Sequence, residues 1–326
     1  MSYKLFTTVF LFITMAVLLT IGAFNFWIDP LWTFSHAHEK NDVQVVIDER
    51  QQKVNQLYFG DEDYDTLLIG SSRTTYIPAS EFVGWDVFNF AASDLAFQEY
   101  KGMIDFAKEQ KGEFDRIIIG VDFFKSSVKE SEDPVSLEPY VEKVKEPFYR
   151  WKNLLSLDVL DYSRKNYRIS ENDQIVELRN YNRHNTAFAK HFEQGTIEEE
   201  TKAKVYKFRQ QFFGDNYQYN EKMKTVMQQL KDENPNTEFI IYTTPISAPL
   251  YNAMIEEGNE EDYDRWLSDL VDVFGGVYHF MYPNSVTKDL SNYFDGHHFY
   301  PNVGEKIART ISTGEFTGDF GVYLEN

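Results

Sequence analysis

The chain has 326 residues, of which 42 % are hydrophobic, 17 % aromatic and 26 % charged, with no cysteine at all. That length and aromatic content suit one large folded domain with an appendage, and exclude a disordered chain. A net charge of -20 argues against nucleic acid as a partner and against a polybasic grip on anionic lipid, while the missing cysteines exclude disulfides, thiol nucleophiles and cysteine metal sites.

Leu5 to Phe24 is nearly continuous apolar sequence, broken only by Thr7, Thr8, Thr14, Thr20 and Gly22. At about 1.5 Å per residue it reaches roughly 30 Å, the thickness of a bilayer's hydrocarbon core. Trp27 and Trp32 follow, where an interfacial aromatic belt would lie. A cleavable signal peptide and a buried core helix are the rival readings, but no clear small-x-small cleavage site follows the run. Residues 1–28 are therefore expected to form a transmembrane signal anchor. Lys4 is the only charge ahead of the span and Asp29 comes after it. That asymmetry favours a cytoplasmic N-terminus and an extracytoplasmic body at the cell membrane.

Residues 29–64 read as a juxtamembrane connector with a helical piece around Val43–Leu57. From Asp65 the pattern becomes alternating strand and helix. Short apolar runs at Thr66–Ile69, Asp86–Phe90, Arg116–Val121, Glu238–Thr243 and Val277–Phe280 have the length of buried strands. Helices are predicted at Phe97–Lys111, Asn220–Asn234, Glu261–Phe274 and Val303–Ser312. Leu267, Leu270, Val271 and Phe274 carry the spacing of one apolar helix face. The alternation predicts an α/β fold, with a five-stranded, mostly parallel sheet between two helical layers and ligands at the carboxyl ends of the strands. The span from about 125 to 236 is too long for a simple crossover. It is expected to be a helical insertion within a 65–326 domain, with helices near Asn153–Tyr162 and Glu199–Phe212.

Two stretches carry chemistry. Asp295-Gly296-His297-His298-Phe299-Tyr300-Pro301 supplies a carboxylate and, three residues on, an imidazole in one tight turn, as an acid that orients a general base requires. Leu67-Leu68-Ile69-Gly70-Ser71-Ser72-Arg73 ends an apolar strand in a hydroxyl, the matching nucleophile. Loop histidines beside an acidic turn are the plain alternative. Asp295, His297 and His298 could hold a metal only with a further ligand cluster that the sequence does not offer, so no metal and no cofactor are expected. Gly-x-Ser-x-Gly is absent, because Thr74 follows Arg73, which argues against an α/β-hydrolase elbow.

With these residues in order, the chain resembles the SGNH/GDSL hydrolase superfamily over roughly residues 65–125 and 236–312. Gly70-Ser71-Ser72 matches its nucleophile block, with Ser71 where aspartate is common. Asp295-Gly296-His297-His298 matches its terminal block. The resemblance implies a triad of Ser72, His298 as base and Asp295. The middle blocks depart from the pattern. In Asn89-Phe90-Ala91-Ala92-Ser93-Asp94 the superfamily usually has glycine at position 94. In Gly120-Val121-Asp122-Phe123, Asp122 replaces an oxyanion asparagine. An ionised carboxylate there would repel an oxyanion; Asp94 and Asp122 are nonetheless the oxyanion candidates, through backbone or side chain, and the backbone amides of Ser72 and Asp94 can serve as donors. Arg73 is expected to have a structural role or to bind a substrate carboxylate, with a solvated arginine as the alternative, and His297 is a candidate substrate contact.

Membrane-anchored members with a Gly-Ser-Ser block resemble the cell-envelope proteins of polysaccharide O-acetylation and teichoic-acid D-alanylation, which act beside a membrane-bound O-acyltransferase. The resemblance thus implies an extracytoplasmic acyltransferase or esterase acting on a surface polymer. A carbohydrate deacetylase, or a non-catalytic binding protein on the same fold, are the alternatives.

Overall fold

The computed structural model describes residues 2–172, 175 and 177–326. The chain groups into two units, Met1–Asp61 with Glu138–Arg183, and Glu62–Leu137 with His184–Asn326. The stretch read as a single insertion is therefore divided between the units, and residues 29–61 of the expected 29–64 connector are folded into the first one.

The first unit starts with α1 (Tyr3–Ile28), capped by the Ser2 side chain, which is long and apolar enough to cross a membrane. Most of α1 is exposed, but its last turns are tied to α5 (Tyr149–Leu154) and α6 (Leu157–Glu171). The Asn25 amide donates to the carbonyls of Leu154 at 2.9 Å and Ser156 at 3.2 Å, and its oxygen accepts from Ser163 at 2.9 Å. Asp29 then stops the helix in a left-handed conformation, φ 47°. Its carboxylate accepts from the Thr33 and Phe34 amides and pairs with Arg183 at 2.7 Å. β1 (Gln44–Val45) pairs antiparallel with β5 (Asn180–Tyr181). α2 (Glu49–Phe59) is capped by Asp48 and packs on α4 (Glu138–Lys145). α2 thus begins later than the helical piece expected from Val43, because residues 44–45 are drawn into strand pairing.

The second unit is built on a sheet with strand order β3-β2-β4-β7-β8-β9. Its strands are β2 (Thr66–Gly70), β3 (Val87–Asn89), β4 (Arg116–Val121), β7 (Glu238–Thr243), β8 (Gly276–His279) and β9 (Val322–Glu325). The first five run parallel and β9 lies antiparallel on β8. The mixed α/β class and mostly parallel sheet are as expected, but the sheet has six strands, not five. The sixth is an edge strand of four largely exposed residues, so it lacks the apolar run that marked the buried ones. Helices α3 (Tyr100–Lys111), α8 (Lys222–Asp232), α10 (Glu260–Phe274) and α12 (Pro301–Thr313) lie where helices were expected. Of the predicted α10 face, Leu270 and Val271 are buried while Leu267 and Phe274 are half-buried, because Tyr263, Trp266 and Val273 share the burial. The two-residue strand β6 (Ala187–Phe188), α7 (Gln194–Gln211), α9 (Ala248–Glu256) and the one-turn α11 (Ser285–Lys288) complete it. Leu67, Leu68, Ile69 and Ile117 to Ile119 are fully buried at the centre.

Candidate active site

The site assembles from segments that follow β2, β4, β7 and β8. Gly70 ends β2 where the chain turns back over the strand ends. A Cβ there would stand 2.1 Å from Thr74 Oγ1, so only glycine lets Ser71–Thr74 fold so closely. Thr74 is in turn held by the Tyr242 hydroxyl of β7 at 2.7 Å. This turn presents Ser72. Gly296, at φ 71°, makes the bend between Asp295 and His298. Asp295 Oδ1 accepts from the amides of His297 at 3.0 Å and His298 at 2.7 Å, which fixes the bend.

These two turns bring the sequence-predicted triad together. Ser72 Oγ lies 2.9 Å from His298 Nε2, and His298 Nδ1 lies 2.9 Å from Asp295 Oδ2. With Nδ1–H donating to the carboxylate, Nε2 is left as acceptor for the serine proton. The His298 ring stacks on Phe294, 5.3 Å between centroids, so its orientation is fixed on that side as well. Burial alone would raise the Asp295 carboxyl, but His298 and Lys204 together hold it well below the usual carboxylate range. Asp295 is an anion able to stabilise an imidazolium.

Lys204 is a charged neighbour of the candidate triad that sequence reasoning missed. It comes from α7, in the insertion, and its Nζ sits 2.7 Å from Asp295 Oδ2, the same oxygen that faces His298. No local motif marks it, because the contact joins residues 91 positions apart. Its position in a charged stretch, Glu198 to Glu200 followed by Lys202, Lys204, Lys207 and Arg209, looks like an ordinary solvated helix face.

Asp122 and Arg73 are both buried and pair with each other, while Asp122 also accepts from the hydroxyls of Ser71 and Thr244. Arg73 further donates to the Thr244 carbonyl at 3.3 Å. This ion pair sits directly behind the nucleophile turn and ties the ends of β2, β4 and β7 together. The Asp122 side chain is an acceptor committed to these partners. Arg73 is 1 % exposed and His297 5 %, so neither has an open face through which to touch a substrate. His297 lies against the rings of Phe124 and Phe208. Burial, with the Arg73 charge beside it, holds His297 well below the usual imidazole range and keeps it neutral.

Asp94 has a φ of 60°, the left-handed region that glycine enters freely, and its carboxylate turns outward to Lys125. Among the described residues neither the Ser72 nor the Asp94 amide has a hydrogen-bond partner. Asn89 is occupied: its amide donates to the Thr74 and Ile77 carbonyls at 2.9 and 3.1 Å. Among the described residues there is no cluster of three or more metal-ligating side chains.

No protein-family model matches the chain, and no curated protein matches it. Among solved structures, one from Streptococcus pneumonia described as that of a "putative platelet activating factor" aligns with a TM-score of 0.37 at 10 % identity, covering 82 % of this chain and 89 % of that one. A likeness at that level carries no argument about fold or function.

Proposed function

We propose that this chain is a serine-dependent acyltransferase or esterase of the SGNH type, with a three-layer α/β/α body, held at the cell membrane by α1 with its catalytic unit outside. The observation that carries the reading is the continuous hydrogen-bonded line from Ser72 Oγ through the His298 ring to the Asp295 carboxylate. His298 Nε2 takes the Ser72 proton as Oγ attacks the acyl carbon. The proton then passes to the departing alcohol, leaving an acyl-serine. Water resolves it in an esterase; a hydroxyl of a surface polysaccharide or teichoic acid resolves it in a transferase, with a membrane-bound O-acyltransferase as the source of acyl groups. The unpartnered Ser72 and Asp94 amides are the oxyanion donors. The left-handed backbone at Asp94 supports its equivalence to the superfamily's usual glycine. No cofactor enters this chemistry.

One observation favours a second reading, a binding protein on the same fold. Asp122 supplies an ion-paired carboxylate where the superfamily has a neutral amide donor. Labelling with a fluorophosphonate separates the two. The enzyme reading expects modification at Ser72, none at Ser71, and loss of labelling in His298→Ala. A folded protein that labels at neither serine and turns over no acetyl ester supports the binding reading.

A further inference from the structure

The first unit exposes a group of large apolar side chains that lies beside the end of α1 and belongs to a different part of the chain. Phe148 is 73 % exposed, Trp151 53 %, Leu155 50 % and Leu157 66 %, all within ten residues spanning α5 and the start of α6. Scattered exposed apolar residues need no explanation, but four large ones this close together do.

The heights of Leu155 and Trp151 along α1 are fixed by contacts, with Phe148 just before α5 and Leu157 opening α6. A Cβ placed on Gly22 would lie 3.5 Å from Leu155 Cδ2 and 3.9 Å from the Leu154 carbonyl. One turn later, the Phe26 ring meets Phe34 at 4.7 Å, and Phe34 meets Trp151 at 5.9 Å. The Asn25 bonds to Leu154 and Ser156 lock the same level. The apolar run of α1 ends at Phe24, so α5 stands alongside the helix where it leaves the hydrocarbon and reaches the headgroups. Arg150 places its guanidinium 4.7 Å from the Phe34 ring and 5.1 Å from the Trp151 ring, and Glu146, Lys152 and Asp158 are exposed around the patch. An aromatic and leucine surface interleaved with charges matches the boundary between headgroups and acyl chains, not the bilayer centre.

We propose that Phe148, Trp151, Leu155 and Leu157 form a second membrane contact, an interfacial platform that dips into the outer headgroup layer beside α1. The occupant is lipid because the patch continues the apolar surface of a helix of membrane-spanning length, at that helix's exit from the bilayer. The inference rests on the membrane-anchor reading given above.

The chain has no native cysteine, so a single introduced one is its only thiol. Nitroxide labels are placed singly at positions 148, 151, 155 and 157 of the full chain, reconstituted in phosphatidylcholine–phosphatidylglycerol bilayers. Ile13 on α1 serves as the hydrocarbon reference and Glu142 on α4 as the water reference. The expected result is loss of collision with an aqueous nickel chelate at the four positions, with retained collision with dissolved oxygen, intermediate between Ile13 and Glu142. Labels as open to the chelate as Glu142 while Ile13 stays in hydrocarbon would overturn the platform and leave the anchor intact. Shielding from both agents would mean that protein covers the patch, which also overturns it. A chelate-accessible Ile13 would overturn the anchor and the platform together.

Discussion

Asp122 and Arg73 decide more about this site than their distance from the triad suggests. Each is buried, and each is the other's charge partner. Removing one charge leaves the second stranded in a low-dielectric interior, at a typical cost of ~3–5 kcal/mol. Asp122→Asn is therefore expected to lower stability by about that amount, although it supplies the amide that the proposed SGNH reading would have there. Urea unfolding measures the loss; a variant as stable as the parent would show that the pair contributes nothing. The pair also explains why reading Asp122 from the sequence led toward the oxyanion. Its place after β4 is plain in Gly120-Val121-Asp122. Its partner Arg73 lies 49 positions upstream, and whether a carboxylate faces a ligand or a buried guanidinium is set by packing across strands. His297 is a similar case. Its place beside His298 is local and visible, but the Phe124 and Phe208 rings that enclose it come from distant segments.

At the scale of elements, α7 reaches the triad through Lys204. One carboxylate oxygen, Asp295 Oδ2, faces both the Lys204 ammonium and the His298 ring. The ammonium offsets part of the charge that would otherwise favour a protonated His298. Lys204→Met is expected to make His298 easier to protonate, moving the acid limb of kcat/KM to higher pH, with Lys204→Arg restoring the parent profile. An unmoved limb would show that Lys204 only packs. Elements as such were legible where burial on both faces writes itself as an apolar run: Ile117-Ile118-Ile119 and Phe239-Ile240-Ile241 are unmistakable strands. They were not legible where that signal is diluted. β9 is mostly exposed, and α9 opens with Ala248-Pro249 after a strand, which reads as a loop although proline is well suited to a first helical turn. The triad was legible because both halves lie in short local motifs. Lys204 was not, since helix-surface lysines are common and only the fold selects this one.

For the second unit as a whole, a buried histidine that the site does not use is expected to contribute to acid sensitivity. His279, at the end of β8, is bonded at Nδ1 to the Thr243 hydroxyl at 3.0 Å and faces the Tyr263 hydroxyl at 3.2 Å from Nε2. Thr243 Oγ1 already accepts from the Phe280 and Met281 amides, so its own proton goes to His279 and the ring is neutral. Burial pushes the imidazole down to about 4 from the ordinary 6.5. Between those values the unfolded chain binds a proton that the folded chain refuses, so stability falls as pH drops through that window. Unfolding midpoints from pH 7 to 4 should decline less steeply in His279→Gln than in the parent. Equal slopes would place the acid sensitivity elsewhere.

The clasp at the end of α1 has a mechanical meaning. Helix and folded unit are joined by direct bonds: Asn25 to the backbone where α5 meets α6, and Asp29 to Arg183. A slack tether would let the helix spin about its axis and the body wander over an area set by tether length. Here the helix is a keyed axle. Turning the first unit turns the helix with it, so that, on the proposed membrane-anchor reading, the helix would show any neighbours in the bilayer one fixed azimuth.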